Sequence, residues 1–195
     1  WETNRAGQPG KLSFTVLYDN VLNIEEGNAV RMDVNNTPVF FGFIFEHSWS
    51  KDGQIKVTAY DQLRYLKNKN SYQYENLTAD QVIRMIAADF NLNVGELEPT
   101  NYLIEVRSEK DKSLFDIILN ALDLTMMNAK ELYVLYDDAG KLTLKNIKNL
   151  MLNIVIDETT AQDYSFKTSI DSTTYNQIYL YYDNDETKKR EVYLV

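Results

Sequence analysis

Lys11-Leu12-Ser13-Phe14-Thr15-Val16 sets an apolar side chain at every second position, with Lys11, Ser13 and Thr15 between them. A period of two puts Leu12, Phe14 and Val16 on one face of an extended chain, the pattern of a strand with one buried side. Working outward, Val39 to Phe45 and Ile55 to Tyr60 are further runs of aromatic and β-branched residues, which fit pleated surfaces. Turn signals lie between the runs at Gln8-Pro9-Gly10, Glu26-Gly27-Asn28, Asn35-Asn36-Thr37-Pro38 and Lys51-Asp52-Gly53. Their close spacing suits hairpins, and a small antiparallel β-barrel is expected because a closed sheet hides its edges.

Strand alternation places Phe41, Phe43 and Phe45 on one face, expected to be the barrel core, and Phe40 and Ile44 on the other. That second face needs cover from an α/β segment, a neighbouring subunit or a ligand, which makes Phe40, Ile44 and the nearby Trp49 candidate interface residues. Beyond Tyr60, the side chains of Asp61, Arg64 and Tyr65 are placed to lock a strand exit to a short helical turn by hydrogen bonds or an ion pair.

From residue 78 the period changes. Thr78 and Gln81 have capping-box spacing, and Val82, Ile83, Ile86, Ala87 and Phe90 form one face of a helix that is expected to stop at Asn93-Val94-Gly95. A second helix is expected from about Ser113 to Asn128, with Ser113 as its cap, Asp116 complementing the dipole, and Leu114, Ile117, Ile118, Ala121 and Leu122 as its buried stripe. Glu131 to Tyr136 and Lys141 to Lys145 read as strands around an Asp137-Asp138-Ala139-Gly140 turn. From Tyr164 the pattern returns to β, with Tyr175 to Tyr182 and Arg190 to Leu194 separated by a polar loop. The expected fold is mixed α+β in three parts: a first barrel over 1–72, an α/β domain with two helices over 73–158, and the start of a second barrel over 159–195. Tyr179 and Tyr181 in that last part are candidate interface residues. The first residue is Trp1 and the last three, Tyr193-Leu194-Val195, continue an apolar run, so a fragment of a longer protein is expected.

Composition removes whole classes of function. A net charge of −9 disfavours phosphate backbones and anionic membranes, which are met with clustered Lys and Arg. No window is as long and apolar as a bilayer span, and no charged start followed by an apolar run suggests a signal peptide. The absence of Cys removes thiolate chemistry and sulfur-based zinc sites, and the single His47 has no second imidazole to ligate with. No phosphate-binding glycine loop or nucleophile elbow is present, and no cofactor is expected. Asp183-Asn184-Asp185-Glu186 lacks the glycine and the final Glu of a calcium loop.

The stretches Trp1-Glu2-Thr3, Gly7 to Val16, Glu26-Gly27-Asn28-Ala29-Val30-Arg31, Val39 to Ile44, Val57 to Lys67 and Asn176-Gln177-Ile178 resemble the hub proteins of defective Bacillus and Clostridium prophages, which belong with the late-control tail proteins of contractile phages. The resemblance extends over essentially the whole chain. It implies a non-enzymatic baseplate hub of a phage tail or tail-like bacteriocin, assembled in the bacterial cytoplasm. In such a hub each of three subunits contributes two barrels, giving a ring of pseudo-six-fold symmetry. The implied partners are further copies of the chain, the tail tube protein, the central spike protein, other baseplate proteins and, at the lumen, the tape-measure protein. A rival from another class is a peptidoglycan-degrading or glycan-binding tail-tip module. It would draw on Glu105, Glu109, Asp116 and Asp123 as carboxylates flanking the α/β segment.

Overall fold

A computed structural model describes residues 1–19, 21–155, 157, 175, 177–184 and 187–194. It divides into two compact units, Trp1–Leu152 and Asn153–Val195.

The first unit opens with a four-stranded antiparallel sheet built from β1 (Lys11–Leu17), β2 (Ala29–Val34), β3 (Thr37–Trp49) and β4 (Gln54–Tyr60). Its order is β1-β4-β3-β2, and it curls into a half-barrel with β1 and β2 at its open edges. Asn35 and Asn36, at φ 50 and 63, make the two-residue turn between β2 and β3. Both turn positions are left-handed, the geometry that matches the twist of the flanking strands.

The core face of β3 is the reverse of the one expected. Phe40 and Ile44 are buried inside the half-barrel, while Phe41 and Phe43 are half-buried and Phe45 exposed on the outside. The cause is Gly42, in phase with Phe40 and Ile44. A Cβ at Gly42 would meet the Tyr60 carbonyl oxygen at 2.2 Å and the Phe40 ring at 2.8 Å, so this face is the one where chain and ring close most tightly. Ile44 pairs with Ala59 and Glu46 with Thr58, which leaves Phe45 as the extra residue of a bulge and turns His47 toward the inner face opposite Val57. Leu12, Phe40 and Ala59 form one inner cluster and Ile44, Ile55 and Val57 a second.

Beyond β4, Asp61 caps a 3-10 turn over Gln62–Lys67. Next come β5 (Lys69–Leu77), α1 (Ala79–Asp89), β6 (Val94–Leu97), β7 (Ile104–Ser113), α2 (Leu114–Ala129), β8 (Tyr133–Asp137) and β9 (Leu142–Asn146). β5 pairs antiparallel with β7, and β6 adds parallel to β9 in a sheet of order β6-β9-β8. These elements share one large core in which Val82, Ile83, Ile86, Leu114, Ile117, Leu142 and Leu144 are fully enclosed.

The helix starts follow the sequence. The Thr78 N–H donates to Gln81 Oε1 at 2.9 Å, and Ser113 Oγ accepts the Asp116 N–H at 3.1 Å. α1 ends four residues before the expected stop. Asn91 takes a left-handed φ of 51, its N–H reaches the Ala88 carbonyl, and the Leu92 N–H reaches Ala87, a closing motif that Asn supports almost as Gly does. Val94 and Gly95 therefore begin a strand.

The second unit contains a hairpin of β10 (Tyr179–Asn184) and β11 (Lys189–Leu194), with Arg190 bridging Asp183 at 2.7 Å. The expected return to β at Tyr164 lies outside the described residues. Among the described residues no helix is long and apolar enough to cross a membrane.

Candidate assembly interface

Three surfaces of the molecule carry the candidate residues, and each follows from how its strand is held. The first is the free edge of β1. Lys11 exchanges two backbone hydrogen bonds of 2.9 Å with Glu2 on the side away from β4, so Ser13, Thr15 and Leu17 also direct their N–H and C=O groups outward. β1 pairs with β4 over seven consecutive residues with no bulge. The opposite edge differs. There Arg31 and Asp33 are ion-paired at 2.7 Å beside a register shift at Met32/Asp33.

The second surface is the outer face of the half-barrel. Phe41 and Phe43 meet edge to face at 5.7 Å, and Phe45 meets Tyr60 at 5.5 Å and Tyr65 at 6.3 Å. The Arg64 guanidinium lies 5.4 Å from the Phe45 ring centre and 5.9 Å from that of Tyr60. The Asp61, Arg64 and Tyr65 trio is thus split in its tasks. Asp61 accepts the Gly10 N–H at 2.8 Å and the Leu63 N–H at 3.0 Å, whereas Arg64 and Tyr65 extend an aromatic ladder with a cation over its end. Trp49 is 53% exposed at the end of β3 and packs edge to face on Tyr18 at 4.8 Å. Phe40 and Ile44 belong to the half-barrel core and offer no outer surface.

The third surface is the β10–β11 hairpin. Tyr179, Tyr181 and Val192 lie on one face and Leu180, Tyr182 and Tyr193 on the other, and all six are more than half exposed. A two-stranded ribbon with both faces apolar is marginal in water.

The carboxylates proposed for catalysis are occupied or apart. Glu109 is buried and paired with Lys112 at 2.8 Å, and Asp116 accepts the Ser113 hydroxyl at 2.6 Å at the start of α2. Glu105 and Asp123 stand exposed on different elements, β7 and α2. Among the described residues no group of three His, Cys, Asp or Glu side chains is arranged for a metal. Sequence reasoning passed over Asp137, which accepts the Gln62 amide at 3.0 Å and the Gly140 N–H at 2.6 Å. Burial raises its proton affinity. Its only sequence signal was its place at the start of a turn.

The YQBQ-like family model matches residues 1–195. The chain belongs to the YQBQ-like family. Its relatives include YqbQ of Bacillus subtilis (strain 168), 33% identical over 154 residues, an alignment that takes in 77% of this YQBQ-like chain and 47% of YqbQ. The phage-like element PBSX protein XkdQ of the same organism is 34% identical over 125 residues, covering 63% of this chain and 38% of XkdQ. The YQBQ-like chain thus spans less than half the length of these relatives. Among solved structures, the 43 kDa tail protein of prophage MuSo2 from Shewanella oneidensis matches with a TM-score of 0.53 at 15% identity. That match covers 69% of this chain and 42% of the tail protein, and it is a likeness of fold.

Proposed function

We propose that this chain is part of a structural, non-catalytic hub protein in the baseplate of a phage tail or tail-like particle, three copies of which form a ring between tail tube and central spike. Kinship with a PBSX protein and a fold shared with a prophage tail protein support the tail setting. The trimer follows from the resemblance of the motifs to hub proteins.

The observation that carries the ring is the pair of sheet edges. Strand direction alternates through β1-β4-β3-β2, so β1 and β2 run antiparallel to each other. The β1 edge of one copy laid against the β2 edge of the next therefore continues the antiparallel order, and such head-to-tail contacts close into a ring when the rotation between copies permits. Shape and backbone pairing then do the work, with no cofactor. On this reading the tube protein, the spike protein and neighbouring baseplate proteins, with the tape-measure protein at the lumen, are the partners.

The test is substitution at the bare edge. In the full-length protein Thr15→Pro removes an N–H that points away from β4 and leaves the pairing within the sheet intact. The expected result is loss of the oligomer with the far-ultraviolet spectrum unchanged; an oligomer that survives the change counts against edge pairing.

A further inference from the structure

The outer face of the half-barrel meets the 3-10 turn at Tyr60, the last residue of β4. Lys11 of β1 and Phe43 of β3 are its cross-strand neighbours on that face. In the turn, Leu63 and Leu66 are buried three residues apart, and the same spacing brings Arg64 and Lys67 together on a neighbouring side. Asp61 fixes this placement: its side chain accepts the Leu63 N–H, and its own N–H donates to the Gly10 carbonyl beside β1 at 3.1 Å. Lys11, Arg64 and Lys67 therefore converge around Tyr60. The Arg64 guanidinium lies 5.9 Å from that ring centre, and Lys11, Tyr60 and Lys67 line a hollow of about 150 Å³. Phe45 and Tyr65, 37% and 36% exposed, border the patch.

These cations lack counter-ions. Among the described residues no carboxylate stands within ion-pair distance of Lys11, Arg64 or Lys67, although Glu2 lines the hollow and Glu46 follows Phe45. The Lys67 ammonium bonds the neutral Gln8 side chain, and Arg64 meets only the Phe45 and Tyr60 rings, so its N–H fork has no acceptor among the described residues. Such a fork matches a carboxylate in two parallel hydrogen bonds. The patch is cationic in a chain of net charge −9, so it complements a short acidic segment, whereas a long polyanion would run onto the carboxylates of the rest of the surface. The exposed rings beside it add a place for an apolar side chain.

We propose that this surface docks a partner protein through an acidic, aromatic peptide segment, whose carboxylates meet Arg64, Lys11 and Lys67 and whose ring packs on Phe45 and Tyr65. The backbone edge at Lys11 is already paired with Glu2, so the site is distinct from the bare stretch of β1 and stands whether or not the chain forms a ring.

Fluorescence anisotropy of a labelled peptide of alternating glutamate and phenylalanine, titrated with the full-length protein at low salt, tests the docking. The expected result is binding about tenfold tighter than that of the counterpart with glutamine in place of glutamate, and weakened by added salt. Arg64→Glu is expected to weaken it about tenfold or more, while Lys110→Glu, the same charge change on an exposed position of β7, leaves it within about twofold. Should Arg64→Glu disturb the turn, Lys11→Glu on β1 is expected to give the same loss. Failure of the acidic peptide to bind, equal affinity for the glutamine counterpart, or equal losses from the β7 and patch variants overturns the proposal. Tighter binding of a single-stranded oligothymidylate of equal charge also overturns it, because the surface would then be reading phosphate.

Discussion

The Phe41 ring lies so close over Gly140 that a Cβ on residue 140 would stand 2.7 Å from its Cδ1. This contact joins the outer face of the half-barrel to the β8–β9 turn of the α/β part, and the φ of +94 at Gly140 makes the turn possible. Gly140→Ala combines a left-handed backbone with overpacking, so a loss of about 1–3 kcal/mol is expected by urea unfolding. Adding Phe41→Ala removes the obstructing ring, so the double variant is expected to lose less than the sum of the two singles.

Thr100 is fully buried in the loop between β6 and β7 and ties that loop to the start of α1. Its hydroxyl accepts the Ala79 N–H at 3.0 Å and donates to Asp80 Oδ1 at 3.0 Å, while its own N–H reaches the same carboxylate at 3.1 Å. Thr100→Val keeps the volume and strands the Ala79 donor. A loss of about 1–3 kcal/mol is expected in equilibrium unfolding, whereas Thr100→Ser is expected to retain most of the stability.

These joints separate what could be read in the residues from what could not. The alternation at Leu12, Phe14 and Val16, the Asn35-Asn36 turn, the Ser113 cap and the Asp137 to Gly140 turn are local, and each appears where the sequence places it. The face of β3 is different. Phe40-Phe41-Gly42-Phe43-Ile44-Phe45 is apolar in both phases, so alternation cannot choose between them, and the choice falls to the contact of Gly42 with Tyr60 and the Phe40 ring. Strands β5, β6 and β7 were not anticipated: β5 and β7 pair across an intervening helix, and Ile104–Ser113 is mostly charged. The position of Asp137 beside Gln62 depends on a contact 75 residues apart along the chain. The candidate interface was legible only as an excess of aromatics, because the outward-facing groups of an edge strand are backbone and leave no mark in the sequence.

The raised Asp61 carboxyl also gives stability a direction with pH. The folded chain holds its proton up to about 7, while an unfolded chain releases it in the ordinary aspartate range. The folded state thus binds more protons across that window, and this group's contribution to stability declines as pH rises through it. Asp19 and Glu98, held low by backbone N–H donors, act in the opposite sense and lose their contribution as pH falls. The Asp61 share is isolated as the difference between wild type and Asp61→Asn: urea midpoints at pH 5 and pH 8 are expected to move apart in the wild type more than in the variant.

The outer ladder offers a separate test of assembly. Phe45 and Tyr65 are each more than a third exposed beside Arg64. Replacing both by Ser removes apolar surface and the ladder's ring contacts without touching the inner clusters, so the isolated fold is expected to stay folded with a loss of about 1–3 kcal/mol in urea unfolding. If this face meets a baseplate partner, capture of the variant protein into tail particles, scored by immunogold labelling, is expected to fall.

A ring of three closed through the β1 and β2 edges is tested by the solution mass of the full-length protein, measured by light scattering after size exclusion across micromolar concentrations. Three times the single-chain mass is expected for the wild type and a single-chain mass for Thr15→Pro. A wild-type protein that stays monomeric over the whole range contradicts it.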